Sequence, residues 1–183
     1  MRRLLDALRR FGRDRVGSMV VESVMILPLM IWAFAGTFTI FEAFRIETLN
    51  TRTSYTIGDA LSRETNEVTP AYIEGLNDVF QAMTQADADT ILRVTVVEWD
   101  EETQKFILKW SYSTAGKNPI TNETLMSIQP HIPSSADAET SIIVETWMQF
   151  NPLFIDIIDP IQFAHINITR PRFAAQLPWN PRT

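Results

Sequence analysis

A long run of apolar residues dominates the first quarter of the chain. Val24 to Phe41 form 18 residues without a charge, and only two of them are threonines. A helix of that length spans about 27 Å at about 1.5 Å per residue, close to the hydrocarbon thickness of a bilayer. A helix this long in a soluble core would normally carry a polar face. The pattern therefore predicts a transmembrane helix, which we place at residues 18–45.

Polar residues return at Glu42, and an interrupted apolar stripe then continues to about Thr65. This pattern predicts that the membrane helix extends outward as a stalk helix. The pair Thr69-Pro70 should stop it, because the residue before proline disfavours the helical region. Spacing of three and four then predicts an amphipathic helix from Ala71 to Gln85 that covers a sheet. Its apolar face comprises Tyr72, Ile73, Leu76, Val79, Phe80 and Met83.

Alternating apolar and polar residues in the later half predict strands, and proline-rich stretches separate them. We predict an α+β fold in which the membrane helix and stalk helix precede a small antiparallel sheet of about four strands with a packed helix. A further short helix is expected near Thr121–Ile128. The predicted strands are Ile91–Trp99, Phe106–Tyr112, Thr140–Phe150 and Phe163–Arg170. The predicted regions are a basic cytoplasmic leader (1–17), the transmembrane helix (18–45), stalk and amphipathic helices (46–85), and an exported strand-rich domain (86–183).

Strict alternation along a strand also predicts which side chains face the core. In the second strand, four apolar side chains are expected to share a face; in the fourth, three are expected to point inward. His165 would then lie on the polar face as an ordinary surface histidine, and residues 178–183 would form a loose tail. The four are Phe106, Leu108, Trp110 and Tyr112, and the three are Ala164, Ile166 and Ile168.

Charge is distributed unevenly and predicts an orientation. Residues 1–17 hold six arginines and two acidic residues, whereas the remainder holds 10 basic and 20 acidic residues. Positive residues stay cytoplasmic, so the N-terminus should be inside and the domain after Glu42 exported. The leader is either a short amphipathic helix on the anionic leaflet or a flexible basic tail. The acidic domain would repel phosphate backbones, so we expect no nucleic acid partner.

Candidate chemistry is sparse. The chain has no cysteine and two histidines, His131 and His165, and it contains no phosphate-binding, dinucleotide, serine-hydrolase or zinc-protease motif. The acid pairs Asp87/Asp89 and Asp156/Asp159 lack the spacing of a calcium loop and are interpreted as solvated acids. We therefore expect no catalytic residue, no metal site, no cofactor and no enzyme activity.

A carboxylate stands at the edge of the apolar run. Glu22 is the fifth residue after Gly17, arginines precede the glycine, and the apolar run follows. This arrangement resembles the type IV prepilin processing site, where a peptidase cuts after glycine and the fifth mature residue is glutamate. The resemblance implies Gly17 and Ser18 as the scissile pair and Glu22 as the assembly charge. Pro28 cannot donate a hydrogen bond to the carbonyl of Val24, which predicts a helix kink.

The resemblance extends along the chain to the TadE/TadG-like family of minor pseudopilins and pilus assembly proteins of tight-adherence (Tad, Flp-type) systems. It is carried by RRFGRDRVGSMVVESVMILPLM, by the ending ITRPRFAAQL, and by the strand pair Arg93–Trp99 and Phe106–Tyr112. Ser23 departs from the family, whose pilins usually carry an aromatic residue there. The family implies a non-catalytic role in pilus assembly at the bacterial inner membrane. Its implied partners are the lipid bilayer, other Tad pilus subunits, the inner-membrane platform and a prepilin peptidase.

Two alternatives remain open at the level of sequence. Ala33-Phe34-Ala35 before Gly36 formally matches a signal-peptidase site, which would release a secreted binding domain. A permanently anchored, uncleaved periplasmic binding module would have the same apolar run. The apolar connection at residues 151–162 is interpreted either as a short core helix or as an exposed contact for a partner subunit or the membrane surface. The candidate contact residues there are Leu153, Phe154, Ile157 and Ile158.

Overall fold

The computed structural model describes residues 15–86, 89–114, 116–133, 136–153 and 159–182, without the side chains of residues 15–18. Within these ranges the chain forms the predicted α+β fold, and residues 1–14 of the predicted leader lie outside them. A short 3₁₀ turn, Gln129–His131, follows the third helix. The elements are α1 (Arg15–Arg63), α2 (Pro70–Thr84), β1 (Ile91–Asp100), β2 (Lys105–Ser113), α3 (Asn122–Ile128), β3 (Thr140–Phe150) and β4 (Ile161–Thr169).

Helix α1 is one continuous helix of 49 residues that joins the predicted span to its predicted extension. At about 1.5 Å per residue it is roughly 73 Å long, more than twice the thickness of a bilayer core. Its C-terminal part contacts β3 and β4, and Ile57 and Leu61 are fully buried there. The extension therefore lies on the sheet over its last turns and does not stand free of the domain.

Helix α2 begins at Pro70, in the Thr69-Pro70 pair that was predicted to stop the stalk helix. Thr69 is its N-cap, accepting a hydrogen bond from the backbone N–H of Tyr72 at 3.2 Å, and Pro70 occupies the first turn. Proline suits this position because the first-turn N–H has no helical acceptor. Ile73 and Phe80 are buried as predicted, whereas Val79 is exposed. The packed face of α2 is thus narrower than the apolar spacing indicated.

The sheet has the strand order β2-β1-β3-β4, with every neighbouring pair antiparallel. Helices α1 and α2 lie on one face, and α3 packs beside β2 on the other. The larger core forms under α1 and α2, and a smaller core forms under α3. The larger core includes Ile57, Leu61, Phe80, Val94, Ile142 and Met148, and the smaller includes Val97, Phe106, Leu125 and Ile143.

A β-bulge divides strand β2. Val96 pairs with Trp110 and Val97 pairs with Leu108, so Lys109 is an extra residue in β2. Because one inserted residue reverses the alternation, the side chains before and after it face opposite ways. Trp110 joins the larger core and Leu108 packs against the smaller one. The prediction of a single apolar face along this strand was therefore wrong.

The predicted facing of β4 was also largely wrong. Ala164 and Ile166 are exposed, and Ile168 alone of the predicted three packs against a core, the smaller one. His165 pairs with Thr146 and Asn167 pairs with Val144. Thr146 and Val144 lie under helix α1, and cross-strand partners share a face, so His165 and Asn167 also face α1. The register with β3 therefore determines which side chains of β4 face the helix.

The segment predicted as a loose tail is part of the fold. Trp179 stacks on Trp110 with ring centroids 4.7 Å apart, and the Trp110 indole N–H donates to the Leu177 carbonyl at 2.8 Å. Val68 and Trp179 form an isolated parallel bridge. A buried indole needs a hydrogen-bond acceptor, and the residue just before this tail supplies it. The loose-tail prediction was therefore wrong for residues 178–180, which pair with Val68 and stack on Trp110.

Candidate functional site

The N-terminal half of α1 projects from the domain and carries large exposed apolar side chains. Met25, Phe34 and Phe41 are 73%, 74% and 71% exposed, respectively. In the described part of the chain, α1 is the one helix long and apolar enough to cross a membrane, by length and composition. Only 11% of its most apolar stretch of 18 residues is buried. A core helix of a soluble protein would be mostly buried, so this half of α1 is a candidate membrane span near the N-terminus.

The hydroxyl groups of this projecting half are satisfied within the helix. Ser23, Thr37 and Thr39 each donate to the carbonyl four residues earlier, at 2.8, 2.9 and 2.9 Å. In hydrocarbon no water is available, so a polar group must find its partner inside the segment. Ser23 and Thr37 therefore add little polarity to the outer surface of the candidate span, and Thr39 is itself buried.

Glu22 is the charged residue of this projecting half between Met19 and Phe41. It is exposed, and it makes no hydrogen bond or ion pair within the described ranges. Gly17 and Ser18 lie in the first turns of α1, one turn before it. Residues four apart share a helix face, so Ser18 and Glu22 are neighbours along the axis. The structure thus places the three residues of the processing-site resemblance on one continuous helix.

Pro28 lies inside α1, and the helix continues on both sides of it. Because proline has no N–H, the carbonyl of Val24 lacks its usual helical donor. Neighbouring groups re-satisfy such a carbonyl more readily in a membrane helix than in a soluble one. The kink at Pro28 stays a prediction.

The C-terminal part of α1 from about Asn50 to Arg63, called the docked half below, contacts the sheet through polar and small residues. Sequence reasoning missed this feature. The Thr146 hydroxyl donates to the Asn50 side-chain oxygen at 2.8 Å, and the Asn167 side-chain N–H donates to the Ser54 carbonyl at 3.3 Å. Gly58 lies directly against the Asn167 amide, where a Cβ would clash. Helix and sheet therefore approach closely through specific polar contacts as well as through apolar packing.

His165 lies beneath this half of α1 and not on the solvated face that was predicted. Its ring meets the ring of Tyr55 edge-on at 5.6 Å, and its Nε2 is buried without a hydrogen-bond partner among the described residues. Burial lowers the pKa of His165, while the negative charge of Glu47 partly offsets that effect. The surface interpretation failed because it assumed the wrong facing of β4.

The sheet face away from α1 carries a buried ion pair. The Arg93 guanidinium donates twice to Glu145, at 2.6 and 2.7 Å, and a third time to the Asn118 carbonyl at 3.0 Å. Arg93 also lies over the Trp147 ring at 5.0 Å. Both carboxylate oxygens of Glu145 are engaged by one cation, a geometry typical of a structural ion pair.

The remaining candidate positions show no gathered chemistry. Among the described residues, no group of three or more histidine, aspartate or glutamate side chains could hold a metal ion. Leu153 is exposed. The other three candidate contact residues, Phe154, Ile157 and Ile158, lie outside the described residues, as do Asp87 and Asp156.

Comparison with protein-family models, with curated proteins and with solved structures finds no match to this chain.

Proposed function

We propose that this protein is a non-catalytic Tad-type pilus assembly protein or minor pseudopilin. It is anchored in the bacterial inner membrane by the projecting half of α1, as a single-pass protein with a cytoplasmic N-terminus. The domain that follows lies on the periplasmic or extracellular side. The proposal is supported by the arginine-rich leader, the TadE/TadG-like pattern and the candidate span, and it needs neither cofactor nor metal.

The observation that carries the proposal is the position of Glu22 on the exposed apolar half of α1. A carboxylate costs about 2.5–3.5 kcal/mol at a bilayer centre, less near the interface, so a partner cation is favoured. Cleavage after Gly17 would create an α-amine on Ser18, whose reference pKa of about 8 keeps it charged at neutral pH. That amine, on the same chain or on a neighbouring subunit, is the partner that we assign to Glu22.

The docked half of α1 explains how such a protein would act through contacts alone. Asn50, Ser54 and Gly58 fix the helix on β3 and β4, so the exported domain is coupled to the span. A change in helix position in the membrane would move the domain with it. The partners we propose are other Tad pilus subunits, the inner-membrane platform and a prepilin peptidase.

The test is the N-terminus of the protein purified from membranes of a host with a prepilin peptidase, determined by intact mass and terminal sequencing. We expect a start at Ser18, and Gly17→Ala should abolish that processing. The matched control is Gly12→Ala, which alters the other glycine of the leader and should leave processing unchanged. A start at Met1 in the unmodified protein would contradict processing, and a start at Gly36 would contradict anchoring.

A membrane-anchored periplasmic binding module is the second candidate. It is favoured by an open apolar recess beside α3, lined by Trp99, Phe106 and Met126 among others. This module would start at Met1 and remain in the membrane. A secreted module is less well supported, because cleavage before Gly36 would cut through the middle of continuous helix α1.

A further inference from the structure

Helix α1 and strand β4 run in the same direction. Ser54 accepts from Asn167, and Ser62, eight residues further along the helix, accepts from the backbone N–H of Arg172 at 2.7 Å. Moving toward the N-terminus of α1 therefore leads toward the start of β4. The projecting half of α1 leaves the domain at the sheet end formed by the last residues of β3 and the first of β4.

The level of this sheet end along α1 follows from the Asn50–Thr146 contact. Phe150, which pairs with Ile161, lies about 13 Å beyond Thr146 at about 3.3 Å per strand residue. The same distance along α1 is about nine residues at 1.5 Å each, which leads from Asn50 to the vicinity of Phe41. Phe41 is also the last residue of the apolar run before Glu42. The strands therefore end near the level of Phe41, and the buried face of α1 continues past it to Thr39 and Ala35.

Apolar side chains are exposed at this sheet end. Leu153 is 78% exposed and follows the end of β3, and Ile161 is 39% exposed at the start of β4. Phe41 and Phe44 on the adjacent helix are also exposed. Pro152 is buried, so the backbone beside Leu153 is held against the domain while the leucine side chain points outward.

We infer that this sheet end, marked by Leu153 and Ile161, rests against the bilayer surface, with both side chains in the lipid interface. This inference depends on the proposed membrane anchoring by α1. Lipid is favoured over a protein partner because these exposed apolar side chains adjoin the apolar run of the candidate span. Asp159 is exposed beside Ile161, which disfavours an anionic headgroup, so zwitterionic lipid is the surface that fits.

The absence of cysteine from the chain makes the inference directly testable. Single variants Leu153→Cys and Ile161→Cys, each in the full chain, would carry a nitroxide label in phosphatidylcholine nanodiscs. Collision of the label with oxygen, which partitions into lipid, is compared with collision with a water-soluble nickel complex. Phe34→Cys is the control within the candidate span, and Thr103→Cys, in the exposed β1–β2 turn, is the control at the far end of the sheet.

We expect the oxygen-to-nickel ratio at positions 153 and 161 to exceed that at 103 several-fold and to fall below that at 34. A ratio equal to that at 103 would overturn the inference. Low collision with both reagents would indicate a protein contact and would also overturn it. In either case a lipid signal at position 34 would leave the membrane anchor standing, whereas an aqueous signal at 34 would overturn the anchor itself.

Discussion

The two halves of helix α1 follow opposite rules of burial. In the projecting half, large apolar side chains such as Met25 and Phe34 are exposed. In the docked half, polar residues such as Asn50, Thr53 and Ser54 are buried beside Ile57 and Leu61. The same continuous helix therefore presents apolar groups outward in one half and packs small polar groups inward in the other.

This difference indicates that the two halves of α1 suit different surroundings. The hydroxyls of the projecting half donate to carbonyls of the helix itself, as a lipid environment requires. In and just before the docked half, Thr48 and Thr56 donate to helix carbonyls in the same way, but the Asn50 side chain accepts a hydrogen bond from Thr146 of β3. Stability of the domain should therefore depend on the docked half alone, and the following predictions test that division.

The largest expected effect on domain stability comes from shortening a leucine in the docked half, compared with the same change in the projecting half. Leu61→Ala leaves a cavity in the larger core and should lower the free energy of unfolding by about 2–5 kcal/mol. Leu27→Ala is the matched control, since Leu27 is exposed on the projecting half, and it should leave domain stability unchanged. Urea unfolding in detergent, followed by tryptophan fluorescence, measures both. Equal losses in the two variants would refute the division.

A smaller effect is expected from adding one methyl group at a glycine. Gly58→Ala places a Cβ against the Asn167 amide and should destabilise the domain by about 1–3 kcal/mol, because that amide is held by Ser54. The matched control is Gly75→Ala in helix α2, where nothing beyond the adjacent residues and the nearby backbone of the same helix lies within 4 Å of the added Cβ. It should stabilise by about 0.5–1 kcal/mol through helix propensity. Thermal unfolding of both variants would show opposite signs, and a stabilising Gly58→Ala would contradict the close docking.

The smallest effect concerns pH. Burial lowers the pKa of His165 in the folded protein, so below its ordinary value of 6.5 the unfolded chain binds more protons. Stability from this group is therefore complete above about pH 6.5 and is lost as the pH falls through that value toward the folded pKa. His165→Gln should flatten this part of the stability profile. His131→Gln, at an exposed histidine, is the control and should keep the original slope; equal slopes in both variants would refute the assignment to His165.

Much of the fold was predictable because strong periodic patterns carry it. The predicted helix of Ala71–Gln85 is observed as Pro70–Thr84, and the third predicted strand, Thr140–Phe150, has the same bounds in the structure. The apolar run from Val24 to Phe41 predicted the projecting helix for the same reason, since hydropathy alone identifies it. These features depend on local sequence, and tertiary contacts did not override them.

The facing of side chains was less predictable because it depends on pairing. The extra residue at Lys109 has no sequence marker, yet it reverses the orientation of half of β2. On β4 the alternation allowed either face to be the buried one. The apolar face with Ala164 and Ile166 was predicted to point inward, but the face with His165 and Asn167 points toward α1. The register with β3 and the contacts from α1 decided this, and neither can be read from one strand.

The candidate site divides in the same way. Glu22 and Pro28 stand out in the sequence because they depart from apolar surroundings, and Gly17 stands out by its spacing to Glu22; the structure adds that all three lie on one helix. The docking contacts of Asn50, Ser54 and Gly58 could not be found, since asparagine, serine and glycine are common on helix surfaces. The roles assigned to Gly17 in processing and to Glu22 in assembly stay predictions.

The contacts of the C-terminal segment bear on the order of events during biogenesis. Trp179 bridges to Val68, and Asn167 contacts Ser54 across 113 residues of sequence, so distant parts of the chain must meet before the core closes. Contacts of such long range form late, because the entropy of loop closure must be overcome first. The apolar half of α1 needs no such partners and can enter a bilayer as soon as it is made. If α1 anchors the protein as we propose, insertion would precede folding, and the domain would cross the membrane while its chain is still unfolded.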